Sequence, residues 1–275
     1  MSRALGQLRR VAIEQGLDAL DVDVLLATVL EKPRSFLYAW PEHELSEAQH
    51  HRFQDGCQRR LSGEPVAYIV GEREFWSLPL KTAPHTLIPR PDTEVLVEQV
   101  LADAPDGEYR CVDLGTGTGA IALALKSERP KWQVEGIDRV PEAVALATEN
   151  AQRLGLDVTF RVGNWCADLA DDSIDILVSN PPYIDADDEH LSQGDVRFEP
   201  ESALVADQHG LADISIIVDQ AQRCLRPGGG VFIEHGWQQG DAVRALLQDA
   251  GFLRVDTRRD YGNQERVTFG WKRST

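Results

Sequence analysis

Two short segments of this 275-residue chain carry residue types at spacings that can do chemistry. The first is Asp113-Leu114-Gly115-Thr116-Gly117-Thr118-Gly119, set where the apolar run Tyr109–Leu114 gives way to a helical pattern from Thr118. Glycines at such a junction let a ligand approach the backbone, and the amides of a helix N-terminus favour a carboxylate or phosphate. An adenosine-bearing ligand suits this arrangement. Nineteen residues beyond Gly119, Asp138 closes the next apolar run, Gln133–Ile137, where a carboxylate can accept hydrogen bonds from ribose hydroxyls. Three readings stand on these residues alone: an S-adenosylmethionine site, a dinucleotide site, and a structural glycine turn. The GxGxG spacing only leans away from the dinucleotide GxGxxG.

The second segment, Asn180-Pro181-Pro182-Tyr183, follows the apolar run Ile174–Ser179. In an open α/β sheet the carboxyl ends of the strands line the ligand crevice. An asparagine there offers a carbonyl acceptor, and proline, lacking an N–H, leaves neighbouring backbone carbonyls without a local donor. Two acceptors can thus converge on one NH2 group, and Tyr183 offers a flat face for a planar amide or base. An amide nitrogen shares its lone pair with its carbonyl and is a poor nucleophile. Acceptors aimed at both N–H bonds stabilise the positive charge that arrives with a methyl group and hold the lone pair toward it. No dedicated base is required, because an N-alkylated amide cation loses its proton readily.

The elements that must position these segments are legible from periodicity. From Thr93 onward, strand and helix patterns alternate: Tyr109–Leu114, Gln133–Ile137, Val158–Val162, Ile174–Ser179 and Val231–Glu234, with helices from Thr118, from Pro141, near Leu211–Leu225 and near Asp241–Ala250. Such alternation predicts a mainly parallel sheet covered by helices. Arg254–Arg258 and Arg266–Trp271, joined by Asp260-Tyr261-Gly262-Asn263, read instead as a closing antiparallel hairpin. The first part is different. Leu17, Leu20, Val24, Leu25 and Val29 recur at helical spacing behind Asp18 and Asp21, and a polar helix is expected from Ser46 to Leu61. Between Ala67 and Ala83, short runs around Gly71-Glu72-Arg73 suit a hairpin bridging two domains. The expected layout is a helical domain over 1–70, a hairpin linker over 71–88 and an α/β catalytic domain over 89–275.

Composition narrows the partners. The net charge is −17, with −14 of it on residues 81–275, so the basic footprint of a phosphate-gripping protein is missing. No apolar run reaches the roughly 18 residues needed to span a bilayer, and Met1 to Arg10 lacks the apolar core of a signal peptide. A cytoplasmic protein is expected. Cys57, Cys111, Cys166 and Cys224 show no CxxC spacing and read as reduced thiols, and no metal site is expected. His235 reads as structural rather than as a base or ligand, His50 and His51 as solvated, and Asp185, Asp187, Asp188 and Glu189 as a solvated loop.

Across almost its whole length the sequence resembles the release-factor glutamine methyltransferases, the HemK/PrmC family. The order of its segments carries the resemblance: Gly63–Ile69, Gly71–Trp76, Leu87–Glu94, Asp113–Gly119, Ile137-Asp138, Asn180–Tyr183, Phe198-Glu199-Pro200, Glu234-His235-Gly236 and Asp260-Tyr261-Gly262. It implies a class I (Rossmann-like) methyltransferase domain with a mixed seven-stranded sheet, preceded by a helical domain that helps dock the substrate. The implied cofactor is S-adenosyl-L-methionine, and the implied substrate is the glutamine of the GGQ motif in class I peptide chain release factors. By position, Gly115, Thr116, Gly117, Thr118 and Gly119 would hold the methionine side of the cofactor, Asp138 the ribose, and Trp165 the adenine. Asn180 would bind the substrate amide and touch the cofactor, with Pro181, Pro182 and Tyr183 completing the pocket. Trp165 reads also as core filler. Arg90 would help close the site, and Asp92 or Thr93 reads equally as a helix cap. Ser77 stands where the family commonly has glycine. Two substrate alternatives remain at this level: the glutamine of a large-subunit ribosomal protein, and adenine N6 in nucleic acid, for which a basic face and a target-recognition domain are wanting.

Overall fold

The computed structural model describes residues 3–104 and 107–274, so Met1 and Ser2 of the Met1–Arg10 stretch lie outside the described residues. Two compact units divide the chain: Met1–Glu72 with Ser192–Phe198, and Arg73–Leu191 with Glu199–Thr275.

The first unit contains α1 (Leu5–Glu14), α2 (Ala19–Leu30), α3 (Ser35–Ala39), α4 (Glu47–Leu61) and α5 (Val66–Val70). Asp18 caps α2 by accepting from the Leu20 amide at 2.7 Å, and Ser46 with Gln49 forms a capping box on α4. The buried face of α2 is Val22, Leu25, Leu26, Val29 and Leu30, whereas Leu20 of the predicted stripe is 53% exposed. Asp23 is buried with that face and takes an ion pair from Arg9 at 2.6 Å. Asp195, from the Ser192–Phe198 segment, likewise pairs with Arg60 of α4 at 2.8 Å.

Val66–Val70, expected to open a hairpin, is helical. The hairpin follows it as β1 (Glu72–Phe75) and β2 (Leu78–Lys81), and its turn is Trp76-Ser77, not Gly71-Glu72-Arg73. Both turn residues have positive φ, 53° and 58°, as the twist of a two-residue hairpin demands.

The second unit is built on β3 (Arg110–Leu114), β4 (Gln133–Asp138), β5 (Thr159–Val162), β6 (Ile174–Ser179), β7 (Leu225–Glu234), β8 (Leu253–Arg259) and β9 (Glu265–Trp271). Their order is β5-β4-β3-β6-β7-β9-β8. The first five are parallel, and β9 runs antiparallel between β7 and β8. The apolar residues of β3 and β6, Cys111, Val112, Leu114, Ile174, Ile176, Leu177 and Val178, are buried on both faces, as parallel strands under two helical layers must be. Those layers come from α6 (Glu94–Asp103), α7 (Ala120–Glu128), α8 (Pro141–Leu154), a single turn α9 (Asp207–Gly210), α10 (Ala212–Cys224) and α11 (Gly240–Asp249). Leu96, Leu123, Trp132 and Phe232 belong to one core cluster of this unit and Leu114, Leu177, Ile217 and Ile233 to the other. All four cysteines are free and buried.

Candidate active site

A cleft opens at the carboxyl edge of β3, β4 and β6, with about 910 Å³ of empty space including its open mouth. Gly115, Thr116, Gly117, Thr118, Asp138, Trp165, Asn180 and Pro182 all line it, so the strand ends bring both chemical segments to one place.

On the β3 side the wall is backbone. Gly115 and Gly117 have φ of +72° and +55°, which side chains disfavour. A Cβ on Gly115 would come to 3.3 Å from the Trp165 ring, whereas one on Gly117 would meet nothing within 4 Å. Gly117 thus leaves open the space a ligand needs to reach the chain. Gly119, at φ +83°, ends the loop, so α7 begins at Ala120 and not at Thr118. The loop's own amides are largely consumed: Gly115 and Thr116 donate to the Ile137 carbonyl at 2.8 and 3.1 Å, and Gly117 to Asp138 Oδ2 at 2.9 Å. Donors for a ligand carboxylate are those of Ala120 and Ile121, which line the cleft and have no acceptor within the helix.

Asp138 holds this loop as well as facing the cleft. Its Oδ1 accepts from the Val140 amide at 2.9 Å, so each oxygen already has one backbone donor and keeps one lone pair for a ribose hydroxyl. Beneath the loop, Asp113 is fully buried; its Oδ2 accepts from Thr116 Oγ1 at 2.6 Å, while Oδ1 has no partner among the described residues. Burial pushes its carboxyl up to about 7. Trp165 is both cleft wall and core: its ring stands over Gly115, it packs on the cluster around Leu114 and Leu177, and its backbone has φ +48°. A bulky residue held in that region is a local strain of the kind that gathers at ligand sites.

The β6 side of the cleft is made of side chains. Asn180 Nδ2 donates to Thr93 Oγ1 at 3.2 Å. Thr93 stands at the N-terminus of α6 but makes no side-chain cap, so the helix-cap reading of this residue is corrected; its hydroxyl faces Asn180 instead. Behind it lies Glu234, at the end of β7, 1% exposed. Burial pushes the Glu234 carboxyl up to about 7, although the Thr93 and Tyr183 hydroxyls and Arg266 all favour its ionised form. Tyr183 donates to Glu234 Oε1 at 3.3 Å, and its phenol is raised above the ordinary value by burial and by that carboxylate. Among the described residues Pro181, Tyr183 and Arg90 do not line the cleft. Arg90 pairs with the buried Glu199, whose Oε2 takes the Ile88 amide at 3.1 Å; the pair pins the strip whose Leu87 and Pro89 do line it. Thr93 and Glu234 are the residues that sequence reasoning passed over. The only signal was their position beside segments already singled out.

His235 is fully buried, and Nδ1 must donate to the Gly236 carbonyl at 2.8 Å, leaving Nε2 to accept from Thr268 Oγ1 at 2.7 Å. Burial lowers its pKa, so it stays neutral with both nitrogens engaged. Among the described residues no group of three or more His, Cys, Asp or Glu side chains could hold a metal ion.

An open glycine cradle, two unmatched helix amides and a half-satisfied acidic acceptor fit the carboxylate and ribose of S-adenosylmethionine. With the antiparallel β9 inserted between β7 and the edge strand β8, they define a class I S-adenosylmethionine-dependent methyltransferase. The family model for a methyltransferase domain matches residues 105–260, and that for the PrmC N-terminal domain matches residues 3–71. The chain belongs to the family of release factor glutamine methyltransferases: proteins of that name from Salmonella typhimurium and Pseudomonas aeruginosa are 55% and 56% identical to it, over 91% of each chain. Among solved structures, a methyltransferase from Pyrococcus furiosus aligns with a TM-score of 0.56 at 15% identity, covering 83% of this chain and all of that one. A ribosomal protein L11 methylase from Lactobacillus delbrueckii aligns at 0.51 and 19% identity, over 66% of this chain and 80% of that one. These two likenesses concern the fold.

Proposed function

We propose that this enzyme transfers a methyl group from S-adenosylmethionine to the side-chain amide nitrogen of the glutamine in the GGQ motif of class I peptide chain release factors, in the cytoplasm. The observation that carries the reading is Asn180, a side-chain amide at the mouth of the same cleft that holds the cofactor residues, with its nitrogen already committed to Thr93. When bound, the cofactor supplies a sulfonium-activated methyl. The chain's residues do the rest. Ala120 and Ile121 amides anchor the carboxylate end, Asp138 takes the ribose, and Trp165 flanks the adenine. Asn180 Oδ1, with a backbone carbonyl of the Pro181-Pro182 step, accepts the two N–H bonds of the glutamine amide and turns its lone pair toward the methyl. Each such electrostatic contact lowers the barrier by roughly 2.7–4 kcal/mol, by analogy with oxyanion-hole deletions, and alignment contributes roughly 7–11 kcal/mol. Charge supports a protein over a nucleic acid as substrate: at a net charge of −17 the chain as a whole repels a phosphate backbone. Among the described residues no helix is long and apolar enough to cross a membrane.

The test is to incubate the protein with labelled S-adenosylmethionine and an unmethylated release factor and to locate the methyl by mass spectrometry. Label on the GGQ glutamine is expected. Label confined to a ribosomal protein or to adenine overturns the substrate.

A further inference from the structure

We propose that Gln239 is a positioning residue for the amide pocket: its side-chain amide clamps the Tyr183 carbonyl and so holds the Pro181-Pro182 acceptors in place against the substrate nitrogen. The inference rests on the reading of Asn180 and the Pro181-Pro182 step as acceptors for the glutamine amide. Two consecutive prolines carry no N–H, so this stretch cannot tie itself to its surroundings by donating. Donors from elsewhere must hold it. The first anchor beyond the prolines is Gln239, whose Nε2 donates to the Tyr183 carbonyl at 3.0 Å.

Three hydrogen bonds leave this carboxamide one orientation. Nε2 donates also to the His209 carbonyl at 3.0 Å, and Oε1 accepts from the Gly236 amide at 2.8 Å. A flipped amide would set its oxygen against two carbonyls. Of the three bonds, only the one to Gly236 serves the turn that leads into α11, which the Gln239 amide closes by donating to the Gly236 carbonyl at 2.9 Å. Both Nε2 protons go instead to Tyr183 and to the segment packed against it.

That segment is held in an unusual shape. Gln208, His209 and Gly210 stand in succession at φ of 57°, 56° and 80°, a left-handed run that L-residues rarely adopt. It brings the His209 carbonyl to Gln239 and sets His209 Nδ1 2.7 Å from Asp185 Oδ2, two residues past Tyr183. Gly210 packs so closely that a Cβ there would lie 2.0 Å from the Tyr183 oxygen. The next residue along, Ile184, is fixed too: its amide donates to the Leu204 carbonyl at 2.9 Å and its carbonyl accepts from the Ala206 amide at 3.0 Å. Strain kept in place by surrounding contacts gathers at functional sites, and here those contacts converge on one carbonyl.

The experiment measures kcat, KM for an unmethylated release factor and the dissociation constant of S-adenosylmethionine for Q239E, Q239K, G210A and N180A, each checked for folding by thermal melting. Q239E separates the two uses of the side chain, since a carboxylate still accepts from Gly236 but cannot donate to Tyr183 or His209. It is expected to lose about 10–100-fold in kcat, the cost of displacing a reacting group by about 1 Å, with KM and cofactor affinity within about threefold. Q239K returns donors to the same place and should recover to within about fivefold of the parent. G210A pushes the same carbonyl by contact and should show the same loss, confined to kcat. A folded Q239E within about twofold of the parent kcat, beside an inactive N180A, means that Gln239 only closes its turn and overturns the inference. A loss shared equally with cofactor affinity, or a Q239K no faster than Q239E, overturns it as well. Should Q239E fail to fold, G210A carries the comparison at the same threshold. A parent chain without turnover, or N180A with full turnover, overturns the proposed function instead.

Discussion

The two walls of the cleft are built on different principles. On the β3 side the Gly115–Gly119 loop works through its backbone: glycines clear the space, and the loop's amides are tied to Ile137 and Asp138. On the β6 side, side chains drawn from distant parts of the chain pair with one another: Asn180 donates to Thr93, and Tyr183 to Glu234. A backbone-built wall tolerates change in what surrounds it, because its donors cannot rotate. A wall of side chains is only as definite as the hydrogen bonds that choose its rotamers, and each member is a point of failure.

The sharpest way to break this contrast is Asn180→Ala. Turnover should fall about 10²–10³-fold while S-adenosylmethionine affinity stays within several-fold, measured by single-turnover kinetics and calorimetry. A large loss of affinity would mean the two walls are not functionally separate. Glu234→Gln sharpens the comparison through stability. The folded protein holds the Glu234 proton up to about 7 against an ordinary value of 4.5, so this group's contribution is full below about pH 4.5 and is lost as pH rises through about 7. Each tenfold in proton affinity is worth about 1.36 kcal/mol, so Glu234→Gln should stabilise the protein on the order of 3 kcal/mol at pH 8 and little at pH 4. Denaturant unfolding at the two pH values checks it, and Asp113, raised in the same sense, should keep part of the slope. Equal effects at both pH values would remove the buried charge from the β6 wall. Asp138→Ala is expected to weaken cofactor binding about 10–100-fold, since it removes the ribose acceptor and the tether on the Gly117 amide together. An unchanged affinity would show that the loop stands without it. The smallest effect lies outside both walls: Ser77→Gly relieves a positive φ in the hairpin turn and should raise stability by about 0.5–1 kcal/mol in a thermal melt.

The contrast also explains what could be read from the sequence. The glycine loop, Asp138 and the Asn-Pro-Pro-Tyr segment each follow a strand, and the sheet brings Gly115–Thr118, Asp138, Asn180 and Pro182 to one cleft, while Gly119, Pro181 and Tyr183 stand outside its lining. The parallel sheet and its closing antiparallel hairpin were likewise legible from alternation and the final turn, whereas the strand order, with β9 between β7 and β8, came only with the structure. Thr93 was not. Its type and place suit a helix cap, and only the three-dimensional approach of Asn180 diverts the hydroxyl. Glu234 stands in an apolar strand next to a histidine that attracts more notice. Asp23 was not singled out at all, because nothing in the sequence shows that Arg9 meets it. In the hairpin, Gly71 drew the turn to itself, although Trp76 and Ser77 take the positive φ angles.

The antiparallel β9 has a consequence for assembly. Glu234 lies on β7, whose register from Gly230 to Glu234 is set on one flank by β9, a strand some thirty residues later in the chain that must slip between β7 and β8. The glycine loop and Asp138, by contrast, follow β3 and β4, which are neighbours in sequence as well as in the sheet. During folding, then, the glycine loop and its Asp138 tether can form from pairings close in sequence, whereas the end of β7 waits for the latest strand to dock.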